Sequence, residues 1–173
     1  MLEPETNFVG RSSSFACGAV ARVSLHINDE QRIVDANFKV AGCTVLVRAL
    51  STLTERVNNK TTAEAAALAE DLETIERGLG QEAAGRDDCV LLASEALLEA
   101  IRAYSDSARE HWNGDDALIC TCFGVSERTI ENEIQTKHLD SIAAVTRACN
   151  AGAGCRSCYP LIEDILEEVN RKS

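Results

Sequence analysis

Two close pairs of cysteines, Cys120-x-Cys122 and Cys155-x-x-Cys158, stand with 32 residues between them. This spacing constrains the fold more than any other feature, because each pair can turn its sulfurs toward one metal centre while the intervening chain folds around it. The segment that holds them, from Ala117 onward, has only about fifty-five residues, a size at which an apolar core is thin and a bound metal group supplies missing stability. Gly152 and Gly154, just ahead of Cys155, would let the backbone pass close to a cluster and offer N–H groups to its sulfides, a role zinc needs less. Tetrathiolate zinc sites commonly use two Cys-x-x-Cys knuckles, so a zinc ion ranks behind an iron-sulfur cluster, and free or redox thiols rank third.

Cys17, Cys43, Cys89 and Cys149 bring the total to eight cysteines in 173 residues. The opening Met1-Leu2-Glu3-Pro4-Glu5 is acidic where a secretory signal is basic and then apolar. No apolar run approaches the ~18–20 residues a bilayer span needs. The expectation is a cytoplasmic chain with no membrane partner, whose thiols serve metal or redox chemistry instead of a disulfide framework. A formal net charge of -11 argues against nucleic acid, which needs clustered Lys and Arg. The acidity is spread along the chain and marks no tail, though it favours basic protein partners. Aromatic residues make up only 4%, so any core is built from Leu, Val, Ile and Ala.

From Cys17 to Ile27 the odd positions are small or apolar, and from Val34 to Val40 apolar and polar residues alternate again. These are two strands of an antiparallel hairpin around a turn at Asn28-Asp29-Glu30. After Cys43 the period changes, with Leu46, Ala49, Leu50, Leu53 and Val57 marking a helix that ends near Asn58-Asn59. Shorter helices are expected over Thr61–Leu68 and Asp71–Arg77, and an amphipathic helix over Val90–Tyr104, with Cys89 just ahead of it. Ser105 to Asp116 is polar and reads as a linker. Beyond it, Ser126 and Ser141 are expected helix caps, and Pro160 opens a third helix carrying Ile162, Ile165, Leu166 and Val169. The fold class is therefore α+β over residues 1–104, a linker over 105–116, and a small all-helical domain over 117–173.

Ile119-Cys120-Thr121-Cys122-Phe123-Gly124-Val125-Ser126 and Ala151-Gly152-Ala153-Gly154-Cys155-Arg156-Ser157-Cys158 resemble the bacterioferritin-associated ferredoxin family, a module also found in the middle of NifU-type scaffold proteins. The resemblance implies a permanent 2Fe-2S cluster held by Cys120, Cys122, Cys155 and Cys158. Cys149, six residues before Cys155, reads as a small buried side chain and not as a ligand.

Phe15-Ala16-Cys17-Gly18, Phe38-Lys39-Val40-Ala41-Gly42-Cys43 and Asp88-Cys89-Val90-Leu91-Leu92-Ala93 resemble the three cysteine segments of the IscU/NifU scaffold fold. That likeness implies a sandwich of a small antiparallel sheet and helices. Its three thiolates would build a labile cluster, or hold iron or zinc, with a cysteine desulfurase as sulfur donor and apo iron-sulfur proteins as acceptors. Helix N-termini near Cys43 and Cys89 would favour the thiolate form. Three features depart from the family: Ala19 stands where an Asp is usual, Asp88 where many members have His, and the usual N-terminal helix is largely missing. Asp88 becomes the candidate fourth ligand, with a partner or solvent as the other source. The expected function is a non-enzymatic cluster assembly scaffold, with a homodimer left open. The alternative is a 2Fe-2S electron-transfer protein whose first domain has lost assembly and only docks a partner.

Overall fold

The computed structural model describes residues 7–28, 31–80, 85, 87–110, 114 and 116–172. Asp29 and Glu30 of the expected turn, and residues 111–113 and 115 of the expected linker, lie outside them. The chain divides into two compact units, Met1–Tyr104 and Ser105–Ser173. No helix among the described residues is long and apolar enough to cross a membrane.

The first unit is α+β. Strands β1 (Asn7–Ser13), β2 (Val20–Ile27) and β3 (Ile33–Ala41) form an antiparallel sheet in the order β1-β2-β3. The sheet has one strand more than the expected hairpin, and β2 begins at Val20, leaving Cys17 in the loop before it. Alternation decides the faces: Ala21, Val23 and Leu25 are buried, whereas Arg22 and Ser24 point the other way. Register places Phe8, Gly10 and Ser12 of β1 opposite Leu25, Val23 and Ala21, on the same inner face.

Four helices follow: α1 (Thr44–Val57), α2 (Thr62–Glu70), α3 (Leu72–Leu79) and α4 (Asp87–Glu110). In α1 the expected positions Leu46, Ala49, Leu50, Leu53 and Val57 are all buried. Each buried Leu contributes about 1.5–3 kcal/mol over an exposed one. Thr61 and Glu64 form a reciprocal capping box that starts α2. Helix α3 takes in Gly78 and stops at Gly80, whose positive φ of 65° suits glycine.

Helix α4 begins at Asp87, three residues earlier than expected, and runs on to Glu110, so Ser105 to Glu110 of the expected linker are helical and the division between units falls within the helix. Three contacts lay α4 antiparallel along the inner face of β1. Phe8 meets Tyr104 edge to face at 5.2 Å, Gly10 lies against the backbone of Ala96 and Ala100, and the Ser12 hydroxyl donates to the Leu92 carbonyl at 2.6 Å. The start of α4 is thereby brought to the end of β1.

The second unit holds helices α5 (Glu127–Lys137), α6 (Ile142–Cys149) and α7 (Tyr159–Lys172). It is not purely helical: strands β4 (Leu118–Cys120) and β5 (Val125–Ser126) pair antiparallel around the turn that carries Cys122. Its core is small, with Ile130 and Ile134 from α5, Val145 from α6, and Ile162, Ile165, Leu166 and Val169 from α7.

Candidate metal centres

In the first unit a hollow of about 410 Å³ is lined by Cys17, Cys43, Asp88 and Cys89, with Ser14, Ala19, Gly42 and Leu92 among its walls. Each thiol arrives on a different element. Cys17 sits on the loop joining β1 to β2, which is closed by Ser14 donating to the Ala19 carbonyl at 2.9 Å and Gly18 donating to the Ser14 carbonyl at 2.8 Å. Gly18 takes a φ of 70° there. Cys43 is the N-cap of α1, its side chain makes no capping hydrogen bond, and it lines the hollow at the positive end of the helix dipole. Cys89 lies within the first turn of α4 and not ahead of it.

The sulfurs of Cys43 and Cys89 are 3.1 Å apart. Cys17 is exposed. The Ser14 hydroxyl and the Ala19 N–H hold its thiol below the ordinary value, while the charges of Cys43 and Asp88 act against them. Two thiols touch and the third stands off on its loop. Among the described residues no three His, Cys, Asp or Glu side chains close on one point as a finished metal site. Ala19 is 4% exposed, its Cβ packed where a side chain on Gly42 would fall. It offers no ligand atom.

In the second unit Cys120 ends β4 and Cys122 follows in the β4–β5 turn, while Cys155 and Cys158 lie in the loop leading into α7. Cys120 and Cys158 are buried, at 2% and 5% exposure, whereas Cys155 is exposed. Cys122 and Cys155 hold their sulfurs 3.3 Å apart. The Ser157 hydroxyl and N–H hold Cys155 down at about 7. Burial, and then the neighbouring Cys120, push Cys158 up to about 11. Buried thiols of this kind ionise near neutral pH only against a metal cation.

The loop is shaped to bring the second pair to the first. Asn150 closes α6 in the left-handed conformation and donates to the Thr146 carbonyl at 2.9 Å, and Arg156 takes a φ of 62° between the two cysteines. Gly154 decides the fit. A Cβ there would stand 2.9 Å from the Cys122 Cβ and 3.0 Å from its sulfur, so glycine alone lets this backbone pass over the thiol. Four thiols with no carboxylate among them, under a bare backbone, are a soft donor set suited to an iron-sulfur cluster. Sequence reasoning missed a support: Arg109 near the end of α4 donates to the Thr121 carbonyl at 2.9 Å, and Ala108 packs where a side chain on Gly124 would fall.

Residues 1–111 match the NifU-like N terminal domain. The chain belongs to that family. Residues 118–168 match the BFD-like 2Fe-2S binding domain, so the NifU-like domain is followed by a 2Fe-2S binding one. The nitrogen fixation protein NifU of Trichormus azollae is 34% identical over 164 residues, covering 92% of this chain and 54% of that protein. NifU of Azospirillum brasilense is 31% identical over 171 residues, covering 98% of this chain and 55% of that protein. The iron-sulfur cluster assembly scaffold protein IscU of Escherichia coli K12 is 36% identical over 100 residues, covering 55% of this chain and 71% of that protein. The chain thus spans about half the length of these NifU relatives.

Proposed function

We propose that this NifU-like chain is an iron-sulfur cluster assembly scaffold. Its cargo is a labile cluster, built in the first unit on Cys17, Cys43 and Cys89 with Asp88 as fourth ligand. Iron enters as the metal, a cysteine desulfurase supplies the sulfur, and apo iron-sulfur proteins receive the product. In the second unit Cys120, Cys122, Cys155 and Cys158 hold a permanent 2Fe-2S cluster, which when bound would pass electrons one at a time. The chain is then a carrier and not an enzyme.

The observation that carries this reading is the gathering of Cys17, Cys43, Cys89 and Asp88 around one open hollow. Three thiols and a carboxylate, one thiol on an exposed loop, make a site from which cargo can leave. Four thiols, two of them buried, make one that retains its group.

Anaerobic reconstitution of the full chain with iron, cysteine and a desulfurase tests it. The parent should gain iron and sulfide beyond its purified content and hand that increment to an apo-ferredoxin. Cys17→Ala, Cys43→Ala and Cys89→Ala should each lose the transferable increment and keep the resident absorption, and Cys155→Ala should do the reverse. Ala19, buried and without a ligand atom, favours a second reading, in which the first unit only docks an electron-transfer partner. Cluster transfer that survives all three Cys→Ala changes would overturn the first reading, a parent that gains no transferable increment would favour the second, and zinc without sulfide in the purified chain would overturn both.

A further inference from the structure

The outer face of the three-stranded sheet carries a row of three cations. Antiparallel register sets Arg11 of β1 opposite Arg22 of β2, and Arg22 opposite Lys39 of β3. Arg11 and Lys39 are exposed and Arg22 is half-buried, while the alternate residues Ala21 and Val23 fill the core, so the row stands on the solvent side. Adjacent strands lie about 4.8 Å apart, which sets the three charges within roughly 10 Å. Like charges directly opposite one another weaken strand pairing.

No ion pair among the described residues offsets that cost. None of the three forms an ion pair with another described residue, and the Arg22 Nε is buried with no hydrogen-bond partner. Asp35 on the same face is opposite His26, two rows along the sheet and so about 14 Å away by strand rise, and it accepts from the Asn37 amide. Glu95 and Glu99 share a hollow with Arg11 at the sheet edge, but Glu99 is held by Arg102. In a chain of net charge -11 an unneutralised cationic row calls for a counter-charge from outside.

We propose that this face docks an acidic helix of a partner protein, laid across the three strands with carboxylates at i, i+4 and i+8. Side chains three or four apart on a helix are about 5–6 Å apart, close to the strand spacing, so each carboxylate meets one cation. An extended acidic segment repeats its same-face side chains about every 7 Å and outruns the row by the third. The neighbouring rows supply apolar contact, with Val20, 46% exposed, between Ser13 and Ala41 on one side, and Val9 on the other. Nucleic acid fits less well, since three cations neutralise few phosphates and the rest of the acidic chain repels the polyanion. The Val20 row leads directly into the Cys17 loop and into Gly42-Cys43, so a partner seated here lies beside the thiol hollow. The docking does not depend on what that hollow binds.

Fluorescence anisotropy on the full chain tests the surface. The probes are a labelled helical peptide with Glu at i, i+4 and i+8, its Gln counterpart, and a single-stranded oligonucleotide of matched charge. The Glu peptide is expected to bind in a salt-sensitive manner and to lose about tenfold or more in affinity against Arg22→Gln/Lys39→Gln, while the Gln peptide stays weak. The same double variant is expected to melt higher than the parent, because it removes like-charge opposition; lost binding then cannot be misfolding. Equal binding of the Glu and Gln peptides, or binding undiminished in the variant, would overturn the proposal. An oligonucleotide bound as tightly as the Glu peptide would assign the face to nucleic acid instead.

Discussion

Cys43 and Cys89 bring their sulfurs to 3.1 Å across 46 residues of sequence. The sheet sets that distance, because α4 lies along β1, and its close approach there requires that Gly10 have no side chain. A Cβ at position 10 would run into the Ala96 carbonyl and the Ala100 nitrogen. Gly10→Val is therefore expected to destabilise the first unit by about 1–3 kcal/mol. It should also slow formation of a Cys43–Cys89 disulfide under mild oxidation. Denaturant unfolding and mass spectrometry of the oxidised chain measure the two effects, and an unchanged midpoint would show that α4 is held by other means.

The thiols of the metal-free chain should react in a defined order. Cys155 is exposed and held at about 7, so about nine-tenths of it is thiolate at pH 8, against about one-tenth for an ordinary cysteine near 9. Cys149 is buried and raised to about 11 by burial, and then by Glu133. Brief alkylation followed by peptide mapping should find Cys155 labelled first and Cys149 last. Ser157→Ala removes the donor that favours the Cys155 thiolate, so the pH midpoint of its alkylation should move upward. Cys149 also sets an alkaline limit. Its folded value lies above the ordinary 9.0, so from about pH 9 to about 11 the unfolded chain ionises first and stability falls as pH rises.

The sequence was legible wherever one period ran unbroken. Leu46 to Val57 of α1 and Ile162 to Val169 of α7 repeat at helical spacing and are buried as expected. The approach of the Cys120-x-Cys122 pair to the Cys155-x-x-Cys158 pair was legible because close spacing survives in one dimension, and Cys122 and Cys155 meet at 3.3 Å. Strand β1 was not, since its inner face reads Phe8, Gly10, Ser12, where the central residue has no side chain and the last is polar. That face is complementary to a helix backbone, a long-range fact absent from local alternation. The end of α4 was hidden for a related reason: Ser105-Asp106-Ser107 is polar like a linker, yet Ser105 is buried. That Asp88 lines the same hollow as the three thiols likewise depends on how α4 is seated.

That hidden helical turn makes its own prediction. Arg109 reaches the Thr121 carbonyl from α4 and also pairs with Asp106. Arg109→Ala should cost only about 1 kcal/mol, the usual value for one hydrogen bond. Gly124→Val should cost more, because position 124 has a φ of 64° and faces Ala108. Amide hydrogen exchange across Thr121 to Gly124 would report both, with faster exchange in each variant. Equal protection in Arg109→Ala and parent would mean that the turn stands without its buttress.

Gly154 offers the sharpest separation of the two sites. Its φ is not in the left-handed region, so replacement by alanine adds no backbone strain and acts only through the new methyl. That methyl would fall 2.9 Å from the Cys122 Cβ and 3.0 Å from its sulfur, closer than carbon or sulfur atoms tolerate, and 3.4 Å from the Phe123 ring. Something must give, and the side of the site formed by half-buried Cys122 and exposed Cys155 is freer to move than the buried Cys120 and Cys158. Gly154→Ala is therefore expected to lower resident iron and acid-labile sulfide several-fold in the purified chain. Cluster formed on Cys17, Cys43 and Cys89 during reconstitution should be unaffected, since those residues belong to the other unit. Iron and sulfide analysis before and after reconstitution distinguishes the two pools. If resident cluster remains at parental levels in Gly154→Ala, the backbone over Cys122 is more yielding than its geometry indicates, and the requirement for glycine there falls.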